Sequence, residues 1–246
     1  MAVPNKCSLS NLIASVLSVA NQETNQNYPP FIADLHINLV TSFLISSLVK
    51  SYPGSPYSLD LLDPFINFSM ISLQKGVFVM PPNYRNILGT PYIFVNKNQD
   101  GQCGQIPQIT TIQEFQTAQL KGGCQATSLT IVSESEFSVR TSSSYKYPTH
   151  KNPIGYFTGQ KTVKICPFDL TVVALLYVRN ENTYQTVYTS QPDDTYLVND
   201  TASTQPEWNN NAFDIVLKGL ISLYGVYASD KNVQDYSQVL NQAGLL

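Results

Sequence analysis

The stretch that decides the fold is Glu207–Tyr224, which reads EWNNNAFDIVLKGLISLY. Asparagines often cap helices, and these are followed by apolar residues at three- and four-residue spacing. The pattern predicts a helix over Asn211–Tyr236 with one apolar stripe, which has to pack against another element. The stripe consists of Phe213, Val216, Leu217, Leu220, Ile221 and Tyr224.

Two apolar runs upstream of this helix predict a pair of strands. They are Lys161–Cys166 and Leu170–Arg179, and Pro167 marks a turn between them. A small β unit followed by a closing helix is typical of a structural scaffold, and neither run contains a catalytic motif.

The composition predicts a folded chain whose surface is polar but weakly charged. Of 246 residues, 43% are hydrophobic and only 13% are charged, about half the usual charged share. Amides and hydroxyls cost less to desolvate than charges, so such a surface suits hydrogen-bonded contacts with other proteins. A formal net charge of -3 gives no general attraction to phosphate backbones, so nucleic-acid binding is not expected as the main role.

The cysteines do not predict a metal site. None of the four has C-x-x-C spacing, and both histidines are distant from them in sequence. Cys103 and Cys124 lie in glycine-rich segments and would pair if those segments met, but four free thiols are the favoured interpretation. The four are Cys7, Cys103, Cys124 and Cys166.

No motif predicts an enzyme. The phosphate-binding, dinucleotide-binding, esterase, zinc-protease and kinase motifs are all absent from the sequence. His36 lies in an apolar helix and is expected as a core or interface residue, whereas His150 lies in a polar loop and is expected to be solvated. The paired acids Asp60/Asp63 and Asp193/Asp194 are in polar surroundings, where solvation is the usual state. No catalytic, cofactor or metal site is therefore expected.

The first apolar segment has two interpretations. Leu9–Ala20 resembles a short signal segment ending in Ser18-Val19-Ala20, but the favoured interpretation is an amphipathic helix. Its apolar face would contain Leu9, Leu12, Ile13, Val16 and Leu17. No uninterrupted apolar run approaches the roughly 18 residues of a membrane span, so no membrane partner is expected.

A second helix is predicted over Phe31–Lys50, with Pro30 before it and Gly54 after it. It is apolar on more than one face, so we expect it to be buried between neighbours, with another chain as one of the alternatives. A first stripe contains Leu35, Leu39, Phe43 and Leu48, and away from it lie Ile37, Val40, Ile45 and Val49.

The middle of the chain predicts mainly strands. Strands are expected at Gly76–Met80, Tyr92–Val95, Leu129–Val132 and Phe137–Val139, and a turn with one helical turn at Pro81–Leu88. The predicted fold class is α+β, with helices from both chain ends forming a bundle and a β-rich, sandwich- or barrel-like insertion between them. The expected domains are 1–75, 76–200 and 201–246. Exposed loops are expected at Asn96–Pro107 and Gln191–Pro206, and a short helix from Thr111 to Leu120.

Arg85 is a charge of special interest because the chain has only three arginines. A guanidinium makes forked contacts with carboxylates. An intersubunit or carboxylate contact and a local salt bridge are both open interpretations for Arg85.

Taken together, three pieces of the chain resemble the adaptor, or tail-tubular, proteins that dock beneath the portal in tailed bacteriophages. The resemblance is to versions from short-tailed phages of Bacteroidetes, including crAss-like ones. It is carried by Met80–Arg85, which is similar to a Leu-Pro-x-Asp-Tyr/Phe pattern, by Ile165-Cys166-Pro167 with Leu175–Arg179, and by Glu207-Trp208 with the helix after it.

The resemblance implies a virion protein at the head–tail interface. It implies a homo-oligomeric ring, typically of twelve subunits, that joins the portal to neighbouring tail proteins and lines a passage for DNA. The expected interface residues are Tyr84, Arg85, Trp208, Phe213 and His36. The alternatives are another virion part, such as a stopper or hub, and a secreted β-rich surface binding module. For the latter, Asn67-Phe68-Ser69, Asn199-Asp200-Thr201 and Ser18-Val19-Ala20 would be the supporting features.

Overall fold

The computed structural model of the chain describes residues 7–20, 29–52, 56–96, 114, 124–191 and 196–228. Over these residues the fold is α+β, as the sequence predicts. The chain divides into two compact units: unit 1 combines 1–65 with 181–246, and unit 2 is 66–180. The helices are α1 (Leu9–Ala20), α2 (Pro30–Ser51), α3 (Pro56–Leu62), α4 (Glu134–Ser142) and α5 (Phe213–Ala228).

The strands form three sheets. A five-stranded sheet has the order β1-β9-β4-β5, with β3 also paired to β9, and a four-stranded sheet has the order β2-β8-β7-β6. A separate pair joins β10 and β11. The strands are β1 (Ile66–Ser72), β2 (Val77–Val79), β3 (Tyr84–Ile87), β4 (Tyr92–Asn96), β5 (Cys124–Ser128), β6 (Thr130–Ile131), β7 (Ile154–Phe157), β8 (Thr162–Cys166), β9 (Val172–Arg179), β10 (Tyr188–Ser190) and β11 (Tyr196–Val198).

In unit 1, the predicted C-terminal helix buries one stripe. The side chain of Asn209 accepts hydrogen bonds from the backbone N–H groups of Asn211 and Ala212, so the predicted asparagine cap is confirmed. α5 contacts both α1 and α2. Its buried side chains are Val216, Leu220, Ile221 and Tyr224.

α2 and α5 approach each other closely at Gly219. A Cβ atom built there would lie 2.8 Å from Cγ1 of Val40, which is closer than carbon atoms pack without strain. The glycine therefore sets the spacing of these two helices.

α1 is a folded part of unit 1, so the helix interpretation is confirmed. Its predicted face is buried at Leu9, Leu12, Ile13 and Val16. The backbone N–H of Leu9 donates to Oε1 of Gln205 at 2.8 Å, which satisfies a donor at the first turn of the helix.

The larger apolar cluster described in unit 2 is shared by the five-stranded and four-stranded sheets. Ile93, Val173 and Leu175 come from the five-stranded sheet, whereas Phe78 and Val163 come from the four-stranded sheet, and all are buried. Strand β9 is central in the five-stranded sheet. All of β1 pairs with it, from Ile66 opposite Val178 to Ser72 opposite Val172. The predicted strands over Lys161–Cys166 and Leu170–Arg179 are confirmed as β8 and β9, which lie in different sheets.

Two predictions of secondary structure within unit 2 are wrong. The helical turn predicted within Pro81–Leu88 is strand β3, where Tyr84 pairs with Arg179 and Ile87 with Tyr177. Both Tyr84 and Ile87 pack against the core, so tertiary burial overrides the local turn signal.

The strand predicted at Phe137–Val139 lies instead in helix α4. Ser133 caps this helix by accepting from the backbone N–H of Glu136, and Glu134 and Glu136 lie in its first turn. A capped N-terminus with acidic residues favours a helix even where apolar residues follow.

The compact units differ in their bounds from the expected domains. Unit 2 begins at Ile66 rather than 76 because β1 belongs to its sheet, and it ends at Asn180 rather than 200. Most of the predicted loop Asn96–Pro107, nearly all of the helix Thr111–Leu120, the pairing of Cys103 with Cys124, and the predicted helix beyond Ala228 lie outside the described residues.

Candidate functional site

The polar face of helix α2 makes hydrogen bonds to other residues of unit 1. Asn38 donates from Nδ2 to the carbonyl of Tyr184 at 3.0 Å and accepts from the N–H of Tyr184 at 2.9 Å. Asp34 accepts from the backbone N–H of Thr186 at 3.0 Å and from its hydroxyl. Thr41 accepts from Nε1 of the buried Trp208 at 3.0 Å. The segment 184–186 is therefore fixed along α2.

A second face of α2 is apolar and buried. Ala33 and Ile37 are fully buried, and Val40 contacts α5 at Gly219. His36 is also buried, as predicted, and burial lowers the pKa of its imidazole. This face accounts for the apolar residues that the sequence places away from the first stripe.

The third face of α2 is apolar and exposed. Phe31, Leu35, Leu39 and Phe43 are 65%, 53%, 51% and 74% exposed. Because residues four apart lie on the same side of a helix, these four side chains form one line about 18 Å long, which we call the α2 stripe. The two phenylalanines alone present roughly 250–300 Å² of apolar area, at roughly 200 Å² per ring. With the two leucines, the stripe is comparable to the largest apolar patch of a typical monomer, roughly 300–600 Å², and such a patch is often functional.

α2 is also long and apolar enough to cross a membrane, by length and composition alone. The buried core helix of a soluble protein passes the same test, and 39% of the apolar window is buried within the protein. The hydrogen bonds of Asp34 and Asn38 to segment 184–186 tie this helix to its own unit.

Exposed apolar side chains also lie on both faces of the pair β10–β11 of unit 1, which we call the β arm. Val187, Tyr188, Tyr196 and Leu197 are between 38% and 63% exposed. The rings of Tyr188 and Tyr196 meet edge to face with centroids 5.2 Å apart. The sequence predicts a polar loop over Gln191–Pro206, and strand β11 (Tyr196–Val198) corrects that prediction. The apolar pairs on either side of residues 191–195 are the signal of a hairpin.

The predicted interface residues do not form one surface. Trp208 is buried, donates to Thr41 and packs edge to face on Phe65 with ring centroids 4.8 Å apart. It is therefore a core residue of unit 1, as is His36, rather than a side chain available to another chain. Phe213 is half-buried in unit 1.

Tyr84 and Arg85 lie in strand β3 of unit 2, and both are half-buried. The ring of Tyr84 lies against that of Tyr177, with centroids 6.2 Å apart, and burial raises the pKa of its hydroxyl. Tyr84 is thus held at the edge of the unit 2 core.

Cys166 of unit 2 is buried in a small apolar cluster with Phe137 and Ile154, and polar side chains lie beside it. His150 was expected to be solvated, but its side chain is only 14% exposed and its Nε2 lies 2.9 Å from Oδ2 of Asp169. The Tyr147 hydroxyl and the Asp169 carboxylate lie near the Cys166 thiol. Burial nevertheless raises the pKa of that thiol, so it stays protonated at neutral pH and is a poor nucleophile. This arrangement favours a structural role.

Among the described residues, no group of three or more His, Cys, Asp or Glu side chains is placed to hold a metal ion. A scan against protein-family models finds no match to this chain, and a search of curated proteins finds none either. The features of unit 1 that bear on function are the exposed apolar side chains of α2 and of the β arm.

Proposed function

We propose that this chain is a structural protein that assembles with copies of itself into a ring through the α2 stripe. The observation that carries the proposal is the line of four exposed apolar side chains on a helix whose other faces are occupied. Covering these side chains removes apolar area from water, which drives association.

The chemistry around the stripe favours a second copy over a lipid surface. Helices that lie on membranes carry lysines and arginines on their polar face. The polar face of α2 carries Asp34 and Asn38, and both are bound to segment 184–186. A weakly charged, amide-rich surface around an apolar centre is suited to protein–protein contact.

In this proposal, α1, α2 and α5 form a bundle that is the body of the ring, and α5 contacts both α1 and α2 within unit 1. The position of the ring between portal and tail, its place in the virion and a number near twelve subunits follow from the sequence resemblance. A mildly acidic chain suits a passage through which DNA slides, because it does not attract phosphates.

The test is the mass of the native particle, measured by native mass spectrometry with and without candidate portal protein. A particle of about a dozen chains, formed alone or only with portal, is the expected result. A chain that stays monomeric in both conditions contradicts the proposal and favours a secreted surface binding module.

A matched pair of variants tests the surface itself. Phe43→Glu places a charge on the α2 stripe and should abolish assembly, because a buried unpaired charge costs several kcal/mol. Val139→Glu is the control, since Val139 is also a helical residue and is 66% exposed, but lies in unit 2. Equal loss of assembly in both variants would count against the stripe.

A further inference from the structure

We propose that unit 2 binds single-stranded nucleic acid on the outer face of its four-stranded sheet, the face opposite the core. The two units have net charges of opposite sign. Unit 2 contains ten of the fourteen lysines and arginines but five of the seventeen acids, and unit 1 contains the other four and twelve. The chain as a whole gives no general attraction to phosphates, whereas unit 2 by itself is basic and does. The inference concerns unit 2 alone and does not depend on assembly.

Strand β8 places a lysine on this outer face. Val163 and Ile165 of β8 are buried in the core, so Lys164 between them points to the opposite side of the sheet. Its ammonium group lies over the ring of Phe168, 5.6 Å from the centroid, and that ring is 44% exposed. The face therefore presents a cation and an aromatic ring side by side.

A tyrosine-lysine-tyrosine segment lies beside Lys164. Burial raises the pKa of the Cys166 thiol, and Tyr147 and Lys164 both lie near enough to the thiol to oppose that shift. Tyr145 and Tyr147 are 94% and 47% exposed, and Lys146 between them is exposed as well. Cations and rings thus alternate over one surface. We call it the basic patch, and it consists of Tyr145, Lys146, Tyr147, Lys164 and Phe168.

The carboxylates close to the basic patch are paired with other groups. Glu136 forms an ion pair with Arg140, and Asp169 lies 2.9 Å from Nε2 of His150. Within the part of unit 2 that the structure describes, no carboxylate forms an ion pair with Lys146 or Lys164. Their two ammonium groups can therefore bind phosphates without first losing a carboxylate partner.

An open groove of about 580 Å³ adjoins the basic patch at Lys146. Helix α4 supplies the rest of its lining, which consists of Ser135, Glu136, Val139 and Arg140. Two cations and one carboxylate give this groove a net positive charge. Positively charged grooves follow the backbone in proteins that bind single strands.

The alternation of cations and exposed rings favours a single strand over other polyanions. Bases stack on aromatic side chains while phosphates lie against ammonium groups, so a single strand uses both parts of the basic patch. An acidic peptide would use the lysines and leave three rings in water. The bases of a duplex are stacked on one another and are not available to those rings.

The test is binding of a fluorescein-labelled oligo-thymidylate of about 20 nucleotides to the full chain, followed by fluorescence anisotropy. If Lys146 and Lys164 each neutralise one phosphate, binding should weaken about sevenfold between about 50 and 200 mM salt. Lys146→Gln should weaken binding and halve the slope of log K against log salt. Lys50→Gln is the matched control, since Lys50 is also an exposed lysine but lies in unit 1.

A second pair of variants tests the rings. Tyr145→Ala should weaken binding about fivefold or more, because a stacked base contributes at least that much. Tyr145→Phe keeps the ring and should bind as the wild type does. Tyr188→Ala removes an exposed tyrosine of unit 1 and should have no effect.

Three results would overturn the inference. They are no binding at about 50 mM salt, equal losses in Lys146→Gln and Lys50→Gln, and polyglutamate displacing the labelled strand as well as unlabelled strand does. The last result would mark a surface for acidic proteins. Circular dichroism checks folding, and Lys164→Gln repeats the charge test if Lys146→Gln fails to fold. A monomeric chain that binds the strand contradicts the proposed function and supports this inference, whereas rings that ignore the strand do the reverse.

Discussion

At the scale of single residues, the fold changes the pKa of the Cys7 thiol. Its thiol is fully buried and donates to the carbonyl of Asn209 at 3.3 Å. Burial, with a smaller contribution from the charge of Asp214, raises the pKa of Cys7 from 9.0 to about 11. The folded chain therefore binds more protons than the unfolded chain between these two pH values.

The sign of this shift gives a pH prediction. The contribution of Cys7 to stability is complete below pH 9 and is lost as the pH rises toward 11, by about 2–3 kcal/mol in all. The free energy of unfolding, measured by urea denaturation, should fall more steeply with pH over this range for the wild type than for Cys7→Ala. Identical pH slopes for the two proteins would show that the thiol titrates normally in the fold.

Single residues also show what the sequence can predict. His36 is expected as either a core or an interface residue because it lies within an apolar helix, and its burial agrees with the first of these alternatives. His150 is misjudged because its partner, Asp169, is 19 positions away and is brought near only by the tertiary fold. Trp208 is expected at an interface but lies in the core, since neither its hydrogen bond to Thr41 nor its packing on Phe65 is visible in the sequence.

At the scale of elements, the contact between α2 and α5 should be sensitive to one methyl group. Gly219→Ala places a Cβ against Val40, whose branched side chain has little freedom to move in a helix. We expect a net loss of about 1–2 kcal/mol in the free energy of unfolding, because strain exceeds the gain in helix propensity. Urea denaturation followed by tryptophan fluorescence measures the loss.

Two further variants decide whether this contact is the cause. Val40→Ala combined with Gly219→Ala should recover part of the stability relative to the sum of the single changes. Gly159→Ala is the control, since no atom lies within 4 Å of a Cβ built there. A Gly219→Ala protein as stable as the wild type would mean that the helices are not in close contact.

The elements also show where pattern reasoning works. α1, α2 and α5 are predicted because their apolar periodicity extends over several turns. β3 and α4 are misassigned because each is short, and the outcome depends on a cap at Ser133 and on pairing with β9. The α2 stripe is visible as a pattern, but the sequence does not distinguish a buried apolar face from an exposed one.

At the scale of the whole molecule, the path of the chain makes the two units separable. Unit 2 is one continuous segment, and its first residue, Ile66, pairs with Val178 near its last. Paired residues in an antiparallel ladder have Cα atoms about 5 Å apart. The chain thus leaves unit 1 and returns to it at nearly the same point.

We therefore expect unit 1 to fold without unit 2. A chain in which three or four Gly/Ser residues join Phe65 to Glu181 keeps α2, α5 and the β arm, and the linker spans the short gap. It should show the tryptophan fluorescence of the full chain and, since the α2 stripe lies in unit 1, form particles with the same number of subunits. Native mass spectrometry gives that number. A folded unit 1 that remains monomeric while the full chain assembles would place an essential part of the contact in unit 2.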